Sequence, residues 1–337
     1  MRTTILPLLA AGALLFSGCS SKQYFEPENT YSASMAESGY GGTIIDISRE
    51  GATLSNGQYI GRNGIGKHVL GEGYRFLSES SSYILAGDDE GMLKVIDKST
   101  GETVRKISLS MPVVAASIKN GMIGYILNNN AYGLYRISDN RKIIENRSEQ
   151  TFAIDTRAAS PIFIDSLVVM PMLDGKLVIF DVRDPENAKV VYLSSDKVFN
   201  NIVYLSRTGD TLVAATPKKL LTLGSEGEFE YRANIAEVNI AGNNIYLFTK
   251  EGEIIKLDIM LKELAKQKFK FAQFSAAAAV DGKIYALDKQ GSLIVLDSGL
   301  TQYKIYDVGE VKSPVFISGS KLYKDGTVIH LDKLGYQ

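Results

Sequence analysis

The chain has 337 residues, 45% of them hydrophobic and 22% charged, which is the composition of a globular protein with a real core. The formal net charge is -1, so there is no global field to hold nucleic acid or anionic lipid, and no run of five or more like charges forms an interaction tail. A single Cys excludes an internal disulfide, and two His, at 68 and 330, make an ordinary zinc site improbable.

The chain opens with Met-Arg-Thr-Thr, an apolar run from Ile5 to Phe16, and then Ser17-Gly18. This is the layout of a signal peptide over 1–18, and the apolar run is too short to span a bilayer. The next residue is Cys19. Phe16-Ser17-Gly18-Cys19 resembles the bacterial lipobox, which implies cleavage before Cys19 and acylation of its thiol. Two or more acyl chains give stable membrane attachment. The non-acidic Ser20 and Ser21 imply, by the same resemblance, the periplasmic face of the outer membrane. Residues 19–41 are polar, carry Pro27, and read as a lipidated tether.

From residue 42 to 337 the sequence repeats. A turn with Gly, an apolar strand and an Asp recur as Gly91-Met-Leu-Lys-Val-Ile-Asp97, Gly175–Asp181, Gly252–Asp258, Gly291–Asp297 and Gly326–Asp332. Weaker copies begin at Gly133 and Lys219, and Asn56-Gly57 supplies a first. The mean spacing is about 38 residues, the period of a four-stranded propeller blade. Asn-Gly and Asp-Gly pairs (56–57, 174–175, 281–282, 325–326) suit two-residue hairpins, because they accept the positive φ that such turns demand. The strand-ending Asp is expected to accept hydrogen bonds from the next turn, as with Ser-Thr-Gly after Asp97. One unit reads in full as strands 74–78, 83–87, 92–97 and 103–109. Leu261–Lys268 and Ala276–Ala279 favour helix by composition. The repeat demands strand there, and packing between blades is expected to prevail.

The sequence therefore predicts an all-β protein, a single β-propeller of four-stranded blades. Eight turns imply eight blades. The last unit runs out after its third strand, so ring closure needs a strand from the segment before about residue 48. Seven blades is the alternative, with Thr43–Ser48 as the closing strand and the Gly57 hairpin as an elaboration.

The Gly-x-Leu/Ile-x-x-Leu/Phe-Asp repeats resemble those of PQQ-type propellers. With the lipobox, they resemble the BamB family of lipoproteins in the outer-membrane β-barrel assembly machine. Phe152-Ala-Ile154-Asp-Thr-Arg157-Ala-Ala-Ser160-Pro161 resembles that family's Leu-x-Leu-Arg-Gly-x-Ser-x-Pro loop, and Leu193-Ser-Ser-Asp196 resembles an acidic loop one blade later. The resemblance implies that Phe152, Ile154, Arg157 and Asp196 contact a BamA-type barrel-forming partner. The plain alternative is that Arg157 is a solvated loop arginine and Ser160-Pro161 the entry to the next blade. The two loops lie about one blade pitch apart, which places them on one face.

Enzymatic chemistry finds little support. Quinoprotein dehydrogenases of this fold stack the quinone on Trp, and this chain has none, so no cofactor is expected. Two His offer little for general-base chemistry. Asp88-Asp89-Glu90 lacks the alternating ligands of a calcium loop, so no metal is expected. The sequence points to a protein-binding scaffold anchored at the outer membrane and monomeric outside its complex. The alternatives are a lipoprotein of another envelope complex or a ligand-binding sensor.

Overall fold

The computed structural model describes residues 23–151, 157–195 and 200–337. Among the described residues, eight sheets of four strands each, one carrying a fifth, follow one another around a ring. Blades 1 to 7 span 44–65, 75–108, 113–147, 162–192, 204–232, 235–268 and 274–307. Blade 8 combines 316–330 with 37–39. Each blade is an antiparallel meander whose first strand lies nearest the axis. Blade 2 consists of Arg75–Glu79, Tyr83–Gly87, Met92–Asp97 and Thr103–Ser108, close to the boundaries expected from sequence.

The core is divided among the interfaces between blades. Eight apolar clusters fill the eight interfaces, for example Leu85, Val95, Val113 and Tyr125 between blades 2 and 3. The middle strands are buried on both faces and read as continuous apolar runs, such as Ser-Leu-Ile-Val-Leu-Asp over Ser292–Asp297. Buried tyrosines tie neighbouring blades. The Tyr246 hydroxyl donates to the Ser298 carbonyl (2.8 Å), and Tyr285 makes the equivalent bond to Leu331 (3.0 Å). Burial pushes both phenols above their ordinary pKa.

The recurring glycine has a specific task. In every blade the carbonyl of one residue, in the turn between the second and third strands, accepts an N–H from the chain that leaves the outer strand. The pairs are Gly57–Leu70, Gly91–Leu109, Asn130–Ser148, Gly175–Leu193, Lys218–Ala233, Gly252–Phe269, Gly291–Val308 and Gly326–Tyr40, at 2.8 to 3.3 Å. The outer chain passes so close that a Cβ at Gly91 would lie 2.8 Å from the Leu109 carbonyl oxygen, and one at Gly252 2.2 Å from that of Phe269. Positive φ at these positions adds a second reason for glycine.

Blade 3 corrects the sequence register. Its turn residue is Asn130, at φ 62°, while Gly133 lies inside the strand Ala131–Arg136. Gly133 is small for another reason: a Cβ there would meet the Tyr125 ring at 2.2 Å. Of the four hairpin pairs, Asp281-Gly282 and Asp325-Gly326 hold positive φ at both residues, and the other two only at the glycine. The strand-ending aspartates act as expected. Asp97 accepts from the N–H groups of Ser99 and Thr100, and Asp297 from those of Gly299, Thr301 and Gln302. Burial alone would raise the Asp297 pKa, but these donors hold it below the carboxylate range.

The helix-prone segments are strands. Glu263–Lys268 is the outer strand of blade 6, and Ala276–Ala279 lies in the innermost strand of blade 7, Phe274–Val280. Cross-strand pairing outweighs a propensity of a few tenths of a kcal/mol per residue.

Ring closure uses the N-terminal segment. Glu37–Gly39 pairs antiparallel with Thr327–His330 and supplies the fourth strand of blade 8, with Ser38 opposite Val328. Just before it, Tyr31–Ser32 pairs in parallel with the outer strand of blade 7, and Ala33 and Ala36 are buried between blades 7 and 8. Residues 31–39, read from sequence as part of a tether, are thus built into the ring. Ile44–Ile47 opens blade 1, which removes the seven-blade alternative.

Candidate functional site

Innermost strands line a central cavity of about 930 Å³. Its wall draws on blade 1 (Ile47, Arg49), blade 6 (Glu237, Asn239), blade 7 (Phe274, Ala276) and blade 8 (Phe316, Ile317), and on Arg157 from the connector into blade 4. These strands lack the Gly-to-Asp signature. Blade 7 contributes the run Ala276–Ala279, whose small side chains leave room beside the axis.

A charged bridge crosses the centre of the ring. Arg49 leaves the first hairpin of blade 1 and reaches blade 6, where its Nη2 lies 2.5 Å from Glu237 Oε1 and donates to the Val238 carbonyl (3.3 Å). Its guanidinium also stacks 4.8 Å above the Tyr204 ring of blade 5. Arg157 completes the bridge: Nη1 lies 2.9 Å from Glu237 Oε2, and Nη2 donates to the Ala236 carbonyl at 2.9 Å. Burial by itself would raise the Glu237 pKa, but the two guanidinium groups outweigh it and hold the carboxyl below its ordinary value. Burial likewise opposes the charge on Arg49, and Glu237 restores it and raises its pKa. With Lys250 and Lys289 from turns of blades 6 and 7, the cavity lining among the described residues carries four cations against one carboxylate.

Arg157 is therefore not a solvated loop arginine. Its side chain is 33% exposed and is held by a partner 80 residues away. Phe152, Ile154, Asp196 and Cys19 lie outside the described residues. The described flanks of the two loops do meet: the Ala159 N–H donates to the Ile202 carbonyl at 2.9 Å, which joins the connector into blade 4 to the connector into blade 5. Both lie on the face onto which the cavity opens. Sequence reasoning missed Arg49 and Glu237. The available signal was Glu237, with Asn239, in a first strand that is apolar at its other positions, Ile235–Ala241.

Other singled-out residues serve local structure. Asp88 accepts the N–H groups of Glu90 and Met92 in its own turn, and Asp89 pairs with Arg75 at 2.8 Å. His68 contacts the Lys98 carbonyl, and His330 contacts Ser38 Oγ. Among the described residues, no three His, Cys, Asp or Glu side chains converge as metal ligands, and no helix is long and apolar enough to cross a membrane.

Fold and site together define an eight-bladed β-propeller with a cationic central cavity. Among solved structures, BamB from Moraxella catarrhalis shares this fold with a TM-score of 0.65 at 14% identity, over 87% of this chain and 94% of that one. The C-terminal WD40 domain of Sif2 superposes with a TM-score of 0.63 at 12% identity, covering 87% and 98%. In sequence, the chain is similar to the plasminogen-binding protein PgbB of Helicobacter pylori. It is 29% identical to the protein of strain J99 and 28% to that of strain 26695, over 94% of this chain and 67% of theirs. No protein-family model matches the chain.

Proposed function

We propose that the protein is a lipoprotein scaffold, anchored through Cys19 to the periplasmic face of the outer membrane, that docks a protein partner in β-barrel assembly. The observation that carries this reading is the joined pair of connectors beside Arg157, on the face that holds the cavity mouth. A rigid ring presenting loops on one face is suited to recognition without rearrangement. The cations around the mouth suit an acidic partner surface and would set register and association rate more than affinity. The fold shared with BamB supports the assembly role. A second reading is an envelope lipoprotein that binds a host protein, favoured by the similarity to PgbB along most of the chain.

A photoreactive amino acid in place of the exposed Ser195, in the connector into blade 5, tests both. In living cells the expected product is a cross-link to the BamA-type barrel protein. A cross-link to plasminogen added outside the cells, with none to that complex, would favour the second reading. A folded, membrane-bound protein that captures neither would overturn this face as the docking site.

A further inference from the structure

The N-terminal segment enters the ring at a defined point on its circumference. Phe25 packs edge-on against Phe269 in the outer cleft between blades 6 and 7, with ring centroids 5.9 Å apart, and Phe269 packs in turn on Tyr303 at 5.1 Å. The segment then pairs at Tyr31–Ser32 with blade 7 and closes blade 8 at Glu37–Gly39. Six residue steps lead from Cys19 to Phe25, with five residues between them. Fully extended, they reach about 20 Å. A lipid on Cys19 therefore holds this stretch of the rim within about 20 Å of the bilayer.

The surface around that point has the matching composition. Of the five exposed aromatic side chains among the described residues, four lie here: Tyr24, Tyr31, Phe271 and Tyr303. The fifth, Tyr192, is in blade 4. Leu264 is also half exposed on the outer strand of blade 6. Residues 260–271 carry four lysines against one glutamate, in a chain whose net charge is -1. Lys304 lies 4.1 Å above the Tyr31 ring, and Lys270 4.8 Å above that of Phe271. Glu26 and Glu28 offset part of this charge, and Glu253 pairs with Lys266 at 3.7 Å and with Lys268 at 3.4 Å, so the cations left to meet an anionic surface are chiefly Lys262, Lys270 and Lys304. Aromatic rings with a polar tip and lysines with long apolar stems both settle at the level of lipid headgroups, and each cation near an anionic surface adds attraction.

We propose that the rim of blades 6 and 7 is a membrane-facing surface that rests on anionic headgroups. It acts as a second attachment beside the lipid and fixes the orientation of the propeller. The ring axis then lies roughly along the membrane plane, and the cavity mouth stays open to a partner beside the protein. This inference rests on the anchor at Cys19, and the experiment separates the two. The lipidated protein, with a fluorophore on Lys270→Cys or on Asn146→Cys, is reconstituted into vesicles of phosphatidylethanolamine and phosphatidylglycerol that carry a headgroup quencher. Asn146 lies on the outer strand of blade 3, across the ring from blade 7. The expected result is flotation of both proteins with the vesicles, loss of fluorescence at 270 and retention at 146. Protein that floats but is quenched equally at both positions, or more at 146, would overturn the orientation alone. Protein left at the bottom of the gradient would overturn the anchor and the orientation with it.

Discussion

Blade 2 and blade 8 are the same object made in two ways. Blade 2 is a contiguous stretch whose four strands follow one another over 34 residues, Arg75 to Ser108. Blade 8 takes three strands from the end of the chain and the fourth from residues 37–39, so its outer pairing joins positions 288 residues apart, Gly39 with Thr327. Both use the same turn bond, Gly91 to Leu109 in one and Gly326 to Tyr40 in the other. The difference teaches that the repeat encodes the blade, while the ring is encoded by which segment completes the last one. Loop closure over such a separation is paid once, and the buried cluster between blades 7 and 8 returns it.

The largest expected effect comes from removing that segment. Deleting residues 23–41 exposes the edge of Thr327–His330 and the apolar surface under Ala33 and Ala36. The thermal midpoint should fall by about 10 °C or more. Local proteolysis should begin in blade 8 and spare blade 2. Cleavage starting in blade 2 would break the comparison.

The two turn glycines sharpen it. Gly91→Ala drives a methyl to 2.8 Å from the Leu109 carbonyl at positive φ and should cost about 3 kcal/mol in urea unfolding. Gly326→Ala meets nothing closer than 3.9 Å, because the N-terminal strand arrives along a different path, and should cost about 1 kcal/mol. Equal losses would mean that the two turns hold their outer chains alike.

Glu237→Gln tests the bridge that joins blade 1 to blades 4 and 6. Removing the carboxylate leaves Arg49 facing a neutral partner in a buried site, an expected loss of about 3 kcal/mol. Its pH dependence has a definite sign. A carboxyl held below its ordinary pKa contributes stability above the unfolded value, and that stability is lost as the pH falls through the folded value. The wild type should therefore lose stability more steeply than Glu237→Gln as the medium is acidified below about pH 4.5. Parallel curves would show that the bridge does not titrate with folding.

A small effect on stability, of the same order as that of Gly326→Ala, is expected for Arg157→Ala combined with Asp196→Ala. Arg157 is one-third exposed and Glu237 keeps Arg49, so the expected loss is about 1 kcal/mol, discounted for solvent screening. Capture of the partner should fall sharply, with slower association at low salt. A variant that folds and binds at full strength places the docking site elsewhere.

Most of the ring was legible because each blade repeats a local rule. Gly91 to Asp97 can be read as turn, strand and cap without knowing where the blade lies. Gly133 misled because a glycine beside Leu-Tyr imitates the turn signal, whereas its small size serves the Tyr125 ring of the neighbouring strand. The cavity was not legible. Arg49, Arg157 and Glu237 are scattered over 189 residues and meet only because the ring brings first strands and the segments flanking them to one axis. The N-terminal segment read as tether because its composition is polar. Its order comes from two buried alanines and a shared sheet edge, neither of which leaves a pattern in sequence.

The central claim is that the N-terminal segment, residues 31–40, is part of the propeller. Hydrogen exchange read by mass spectrometry on the folded protein tests it directly. The account expects the amides of residues 37–40 to be protected like those of Lys321–Lys324, the middle strand of the same blade. Exchange of residues 37–40 at the rate of a free peptide, beside a protected blade 8, would contradict it.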